Sequence, residues 1–176
     1  DTTDADLDRA RVVVGTEAVL HRLSGLAAVV FADFDQELVA PRYRAAEEAL
    51  ALIVRAGRLV GGRGSGGGVV LVQTRQPSHP VLSAASSADV EQWASGESAR
   101  RELLGYPPFA AVAQLSGPGA DEFVERLGQP LGIELRGPLD GAWLARAADH
   151  DALADALNAV ERPKARLRVA VDPLRL

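Results

Sequence analysis

AAVVFA, residues Ala27–Ala32, and VVLVQ, residues Val69–Gln73, bracket the helical-looking stretch RYRAAEEALALIVRAGRL, residues Arg42–Leu59. Short β-branched runs bounded by turn residues, without polar alternation, are the mark of central parallel strands, which are buried on both faces. Between them Ala46, Leu50, Ile53 and Val54 recur at helical spacing and define one apolar face. Pro41 suits the first turn, because its φ is already helical and its missing N–H is not needed there. The run GGRGSGGG, residues 61–68, breaks the helix before the second strand.

Working backward, VVVGTEAVLHR, Val12–Arg22, repeats the pattern: Val12–Val14 reads as a strand, Gly15-Thr16 as a turn, and the residues from Glu17 onward as a short helix. Strand, short helix, strand, long helix, strand is an α/β layout. It sets Gly15-Thr16 at the carboxyl edge of a parallel sheet, where nucleotide-binding proteins keep their working residues.

Working forward, residues 84–104 read as a helical connector with Ser86 or Ser87 as its cap and Trp93 as its anchor on the core. GYPPF, Gly105–Phe109, is expected to be rigid and extended, since proline fixes φ and constrains the residue before it. Then come AAVAQLS (strand), GADEFVERLG (helix), GIELRG and GAWLARA (strands about an LDG turn), DHDALADALNAV (helix, capped by Asp149 or Asp151) and ARLRVAVD (strand). The order β-α-β-β-α-β is the split βαβ layout of ferredoxin-like folds. The two halves are unlike, and there is no internal repeat.

A chain of 176 residues that is 47% apolar suffices for one medium domain or two small ones. No apolar run approaches the roughly 20 residues that span a bilayer. DTTDADLDR at the start is no signal peptide, and the absence of any Met points to a piece of a longer protein. Without cysteine there is no disulfide and no cysteine zinc site; His21, His79 and His150 are too scattered for a metal cluster, so no metal site is expected. The net charge of −5 argues against a strongly basic nucleic-acid-binding module. The charge is uneven, however: Ala49–Ala88 holds Arg55, Arg58, Arg63 and Arg75 and no acid. Lys164 is the single lysine among 19 basic residues, which together with the abundant Ala and Gly signals GC-rich coding.

Four motifs invite chemistry. GRGSGGG lacks the Lys of a Walker loop and lies between a helix and a strand in the reverse polarity, so it reads as a linker. ADFD, Ala32–Asp35, sets two carboxylates at a strand end, on one face if the strand continues. They serve either turn and capping structure or Mg²⁺ and acid–base work, and the structural reading is preferred. RAGR, Arg55–Arg58, places arginines within reach of a γ-phosphate at the sheet edge. RPKARLR, Arg162–Arg168, concentrates four positive charges, with Arg166 and Arg168 sharing a face if the segment is a strand. This is either a phosphate contact or a solvated sheet face paired with the acidic helix before it.

Taken in order, VVVGTEAVL, VVFADFDQELVAPRYRAAEEAL, GGGVVLVQTRQPSHPVL, ARRELLGYPPF, and GP followed by RLRVAVDPL resemble the C-terminal part of the primosomal protein N′ (PriA) family of replication-restart DNA helicases. The resemblance covers nearly the whole chain; QT-x-x-P-x-HP and L-x-YPPF are specific in combination. It implies that residues 1–83 are part of the second RecA-like lobe of a superfamily 2 helicase, with a parallel sheet. Residues 84–105 would be the connector and 106–176 the small α+β C-terminal domain, which in the family helps bind branched DNA and the tail of single-stranded-DNA-binding protein. The family's zinc cysteines lie upstream of the matched region, and ATP and Mg²⁺ belong to the full protein.

The departures from the family decide the expected function. Glu17 replaces the Gln after Gly-Thr, and His21, Arg22 and Leu23 occupy the place of a Lys-Gly pair and its aromatic neighbour. Aligned without gaps from Pro41, the family's Q-x-x-GRAGR motif falls on RAGRLVGG, Arg55–Gly62, and its key arginines on Leu59 and Gly62. Aligned on RAGR instead, Ala51 takes the Gln, Val54 takes the Gly and five extra residues follow. Losing an arginine finger costs about 10³–10⁵ in rate. The resemblance therefore implies a scaffold that has given up ATP turnover, like degenerate actinobacterial members. Gly15, Thr16, Arg55 and Arg58 are the residues that would meet ATP if it binds. In the C-terminal domain the family's aromatic-Arg-aromatic stretch corresponds to Gly141–Arg146: Trp143 stands in for the first aromatic, Leu144 sits where the Arg belongs, and Arg146 lies on the same strand face. Trp143 and Arg146 are thus the candidates for the partner tail. Arg63, Arg75, Arg162, Lys164, Arg166 and Arg168 are the candidates for DNA.

The expected role is non-catalytic DNA binding and scaffolding in the replication-restart primosome. The expected partners are branched or single-stranded DNA, the single-stranded-DNA-binding protein tail and other primosome proteins, and the expected location is cytoplasmic, at the nucleoid and away from membranes. Two alternatives stand beside it: a working ATP-dependent 3′-to-5′ helicase lobe, and a protein-interaction module whose acidic surface avoids DNA.

Overall fold

Parallel strands joined through helices organise the first half of the computed structural model, which describes residues 10–40, 42–61 and 67–173. The chain divides into two compact units, the first ending at Trp93 and the second beginning at Ala94. In the first unit β1 (Ala28–Phe31) and β2 (Val69–Val72) pair in parallel, Ala28 opposite Val69 and Phe31 opposite Val72. Between them lie α1 (Asp35–Leu38) and α2 (Ala45–Leu59). Val29 packs with Leu20, Ala56 and Val60, and the partly buried Phe31, Val70 and Val72 pack toward Phe34, Leu50 and Ile53.

Two expectations change here. Val30, Val69 and Leu71 on the other sheet face are exposed, so the strands are covered on one face only among the described residues. In α2 the buried stripe is Ala45, Ala49, Leu50, Ile53 and Ala56, and Val54 is exposed. Alanines let the helix approach the sheet closely, which centres the seam on Ala49, Ile53 and Ala56 and turns Val54 away from it.

Val12–Val14 form no strand. Val12 is 80% and Val14 93% exposed, and neither finds a ladder partner among the described residues. Valine's β preference is a preference for a half-buried pleated surface, which is missing at this position. The short helix expected after Thr16 is a 3₁₀ turn, Glu17–His21, seated by buried Leu20. Pro41, expected in the first turn of the long helix, lies outside the described residues. So do residues 62–66 of the glycine run, Arg63 included. Gly68 does more than link. A Cβ there would lie 2.5 Å from Val60 Cβ and 2.6 Å from the Ala27 carbonyl oxygen, so only glycine lets the chain enter β2 at this point.

Next come α3 (Pro80–Ser87) and α4 (Val90–Leu104). The His79 Nδ1 accepts from the Val81 N–H at 3.3 Å and caps α3; burial holds this imidazole below its usual pKa, which suits the neutral ring that acceptance requires. The expected serine cap of the connector is replaced by Asp89, whose carboxylate accepts from the Gln92 N–H at 3.1 Å, while the Ser87 hydroxyl accepts from the Asp89 N–H. The chain breaks between the helices at Ala88, φ 59°. Trp93 packs on the first unit's core as expected. At the end of α4, Gly105 at φ 61° donates to the Glu102 carbonyl and Tyr106 to the Arg101 carbonyl, a Schellman ending. GYPPF is a turn instead of an extended run: the Phe109 N–H reaches the Tyr106 carbonyl, and the Pro107–Pro108 bond is cis. Proline's fixed φ fits turns as well as extended chain.

The second unit runs β3 (Ala111–Ser116), α5 (Ala120–Leu127), β4 (Glu134–Leu139), β5 (Ala142–Ala147), α6 (His150–Asn158) and β6 (Arg168–Val171). The strands form one antiparallel sheet in the order β4-β5-β3-β6. Asp140 and Gly141, both at positive φ, make the tight β4–β5 turn. Asp149 caps α6 by accepting from the Ala152 N–H at 2.8 Å. The core gathers Ala111, Ala113, Leu115, Phe123, Leu127, Ala145 and Leu153 on one sheet face. The last strand starts later than expected, so Arg166 lies before β6 and does not share a strand face with Arg168. No helix among the described residues is long and apolar enough to cross a membrane.

Candidate nucleic-acid interface

The residues that would meet a nucleotide lie just before the 3₁₀ turn and on α2. The Thr16 carbonyl accepts from the Val19 N–H, and Gly15 packs where a Cβ would lie 2.4 Å from Val19 Cγ2. The half-buried Arg55 donates through Nε to the Leu20 carbonyl at 2.9 Å. The fold thus brings Arg55 to the turn that follows Gly15-Thr16, and uses its Nε on a backbone oxygen. Arg58, one helical turn further on, is exposed.

A second cluster sits at the carboxyl ends of β1 and β2. Asp35 is the sole buried charged residue in the described core. Its Oδ1 accepts from the Thr74 hydroxyl, its two oxygens take the Arg75 N–H at 3.1 Å each, and Oδ2 takes Arg75 Nε at 3.0 Å. The Thr74 hydrogen bond, then that of Arg75, holds the Asp35 carboxyl below its ordinary value. ADFD does not continue β1: Asp33 is left-handed, φ 56°, and accepts from Gln36 Nε2 at 2.7 Å. The two carboxylates therefore do not face the same way as strand neighbours. Arg75 keeps an 87% exposed side chain, and its hydrogen bond to Asp35 raises its pKa. Among the described residues no group of three His, Asp or Glu side chains is placed to hold a metal ion.

In the second unit Arg162, Lys164, Arg166 and Arg168 are all exposed. Trp143 is partly buried against the core and donates through Nε1 to Asp121 at 2.7 Å. Arg146, opposite Glu134 on β4 and Val112 on β3, lies with Leu144 on the sheet face away from Phe123 and Leu153. Its Nη1 donates to the Leu104 carbonyl at 3.1 Å and its Nη2 to Glu134. Hydrogen bonds from Arg136 and Arg146 hold the Glu134 carboxyl below its usual value. Beside this pair is an open hollow of about 410 Å³, lined also by Gly105, Ala110 and Ile133.

No protein-family model matches the chain. Over 109 residues, 57% of this chain, it is 39% identical to the replication restart protein PriA of Treponema pallidum. Over 118 residues, 64% of the chain, it is 33% identical to PriA of Synechocystis. This chain is related to the C-terminal region of replication restart protein PriA. A weaker match, 24% identical to PriA of Haemophilus influenzae, extends over 163 residues. The chain spans only 16%, 14% and 22% of those three relatives.

The landmarks that carry the PriA resemblance have local structural work to do. In QTRQPSHP, Gln73 closes the ladder on Phe31, Thr74 and Arg75 bind Asp35, and His79 caps α3. In LLGYPPF, Gly105 ends α4. Sequence reasoning missed the Asp35–Thr74 bond. The signal was a pair of polar residues just beyond the ends of two strands already expected to be parallel.

Proposed function

We propose that this chain is the DNA-contacting, non-hydrolysing end of a replication-restart protein. In this reading β1, β2 and α2 are part of a RecA-like lobe. The second unit is a ferredoxin-like domain, a reading supported by its β-α-β-β-α-β order and the β4-β5-β3-β6 sheet. The observation that carries the non-hydrolysing reading is Arg55. An arginine that stabilises phosphoryl transfer must aim its donors where charge develops, whereas Arg55 gives Nε to the Leu20 carbonyl. No cofactor is assigned to this chain; ATP, Mg²⁺ and zinc would belong to the rest of the protein. The expected result is binding of forked or single-stranded DNA that weakens steeply with salt, because counterion release follows phosphate contact. The full-length protein is expected to show no DNA-stimulated ATP hydrolysis. Salt-independent association with protein partners alone would favour an interaction module, and ATP turnover that is lost in Arg55→Ala would favour a working helicase.

The same reading gives the tail of single-stranded-DNA-binding protein a place beside Arg146. A terminal carboxylate would take over the Glu134 position on the guanidinium, a charge-assisted contact. Trp143, tied to Asp121 and the core, would hold β5 in place. Arg146→Ala is expected to weaken tail-peptide binding about tenfold or more. Unchanged affinity in calorimetry removes Arg146 from the contact.

A further inference from the structure

The segment leading from α6 into β6 is basic and largely exposed. Arg162, Lys164, Arg166 and Arg168 are exposed, while Pro163 is buried and Leu167 is half-buried against the core. There is no Asp or Glu from Arg162 to Val171. Four exposed cations thus lie along one short stretch that Pro163 and Leu167 anchor, with Ala165 exposed among them.

The backbone of this stretch is clamped. Arg126 Nη1 donates to the Glu161 carbonyl at 3.2 Å, at its start. The Gly119 N–H donates to the Arg166 carbonyl at 3.1 Å. Gly117, φ 100°, and Gly119 let the stretch lie directly on the β3–α5 turn. A Cβ on Gly117 would sit 2.8 Å from the Arg166 oxygen, and one on Gly119 2.8 Å from both the Ala165 oxygen and Pro163 Cγ. At the far end Arg168 pairs opposite Ser116, on the sheet face away from Phe123 and Leu153, because its neighbour Val169 packs on the core.

We infer that residues 162–168 form a preorganised phosphate-binding strip for single-stranded DNA, and that Gly117-Pro118-Gly119 is its clamp. The inference rests on the DNA-binding reading above and names the surface. A flexible basic segment loses conformational entropy each time it orders on a strand. In a clamped one the backbone share of that cost is already met, so only the four side chains remain to be ordered on the phosphates. The chain's net charge of −5 does not oppose this, since screening confines each charge to its neighbourhood.

The test is fluorescence anisotropy of labelled oligo(dT) with the whole chain across a salt series. Lys164→Ala/Arg166→Ala is expected to lower the log–log salt slope by about 1.4, at roughly 0.7 per lost single-strand phosphate contact. Gly119→Val keeps every charge but displaces the strip, and is expected to weaken binding as well. Arg100→Ala, a cation on α4, serves as the control and is expected to bind as the parent does. A double variant with the parent's slope overturns the strip while leaving DNA binding in place. A parent chain with no salt-dependent binding overturns both readings. If circular dichroism shows Gly119→Val to be unfolded, the double variant alone decides.

Discussion

Phe123→Ala is expected to destabilise the second unit by about 3–5 kcal/mol. Phe123 is 1% exposed and projects from α5 onto a sheet whose facing positions are Ala111, Ala113, Ala145 and Ala147. Small residues on the strands leave the bulk of the core to a few large side chains: Phe123, Leu115, Leu127 and Leu153. Alanines have no rotamers with which to fill a vacated ring, so the cavity term adds almost in full to the lost transfer free energy. Denaturant unfolding should show the loss as a lower midpoint with little change in slope. A loss below about 1 kcal/mol would mean that the helix collapses onto the alanines and that the core is less specific than its geometry indicates.

Asp35→Asn is expected to lower the stability of the first unit at neutral pH, with a gap to the parent that narrows in acid. The carboxylate takes the Thr74 hydroxyl, the Arg75 N–H and the Arg75 guanidinium. An amide loses the charge and one acceptor, leaving a donor aimed at another donor. The Arg75 side chain is largely exposed, so the ion pair contributes little; the backbone N–H and the hydroxyl carry most of the effect. Asp35 is held below its ordinary value of 3.8 in the folded chain. The unfolded chain therefore takes up a proton first as the pH falls. The stabilisation is complete above the ordinary aspartate pKa and disappears as pH drops through the lowered folded value. Thermal melts from neutral pH down through that window check this. Parent and variant curves that stay parallel throughout would show that Asp35 does not contribute to the acid limb.

Most of the second unit was legible in its residues. Asp140-Gly141 can turn a two-residue hairpin, and Asp149 stands one residue before its helix. Each of these signals acts over a few residues, and the structure keeps all of them. The first unit's β1, β2 and α2 were legible for the same reason. Val12–Val14 were not, because a strand requires a neighbour that no local run of valines can supply. Nor was the seam of α2, which is set by how closely alanines let the helix approach the sheet.

The candidate sites divide in the same way. Which residue types are present, how they are spaced and what family they resemble could be read from the order of letters. That Arg55 binds a carbonyl 35 positions away, that Asp35 holds Thr74 and Arg75 across the sheet edge, and that Gly117 and Gly119 seat residues 163–166 could not. Those contacts join segments that only meet once the strands have paired, and hydrogen bonding and close packing act over a few ångströms of space whatever the distance along the chain.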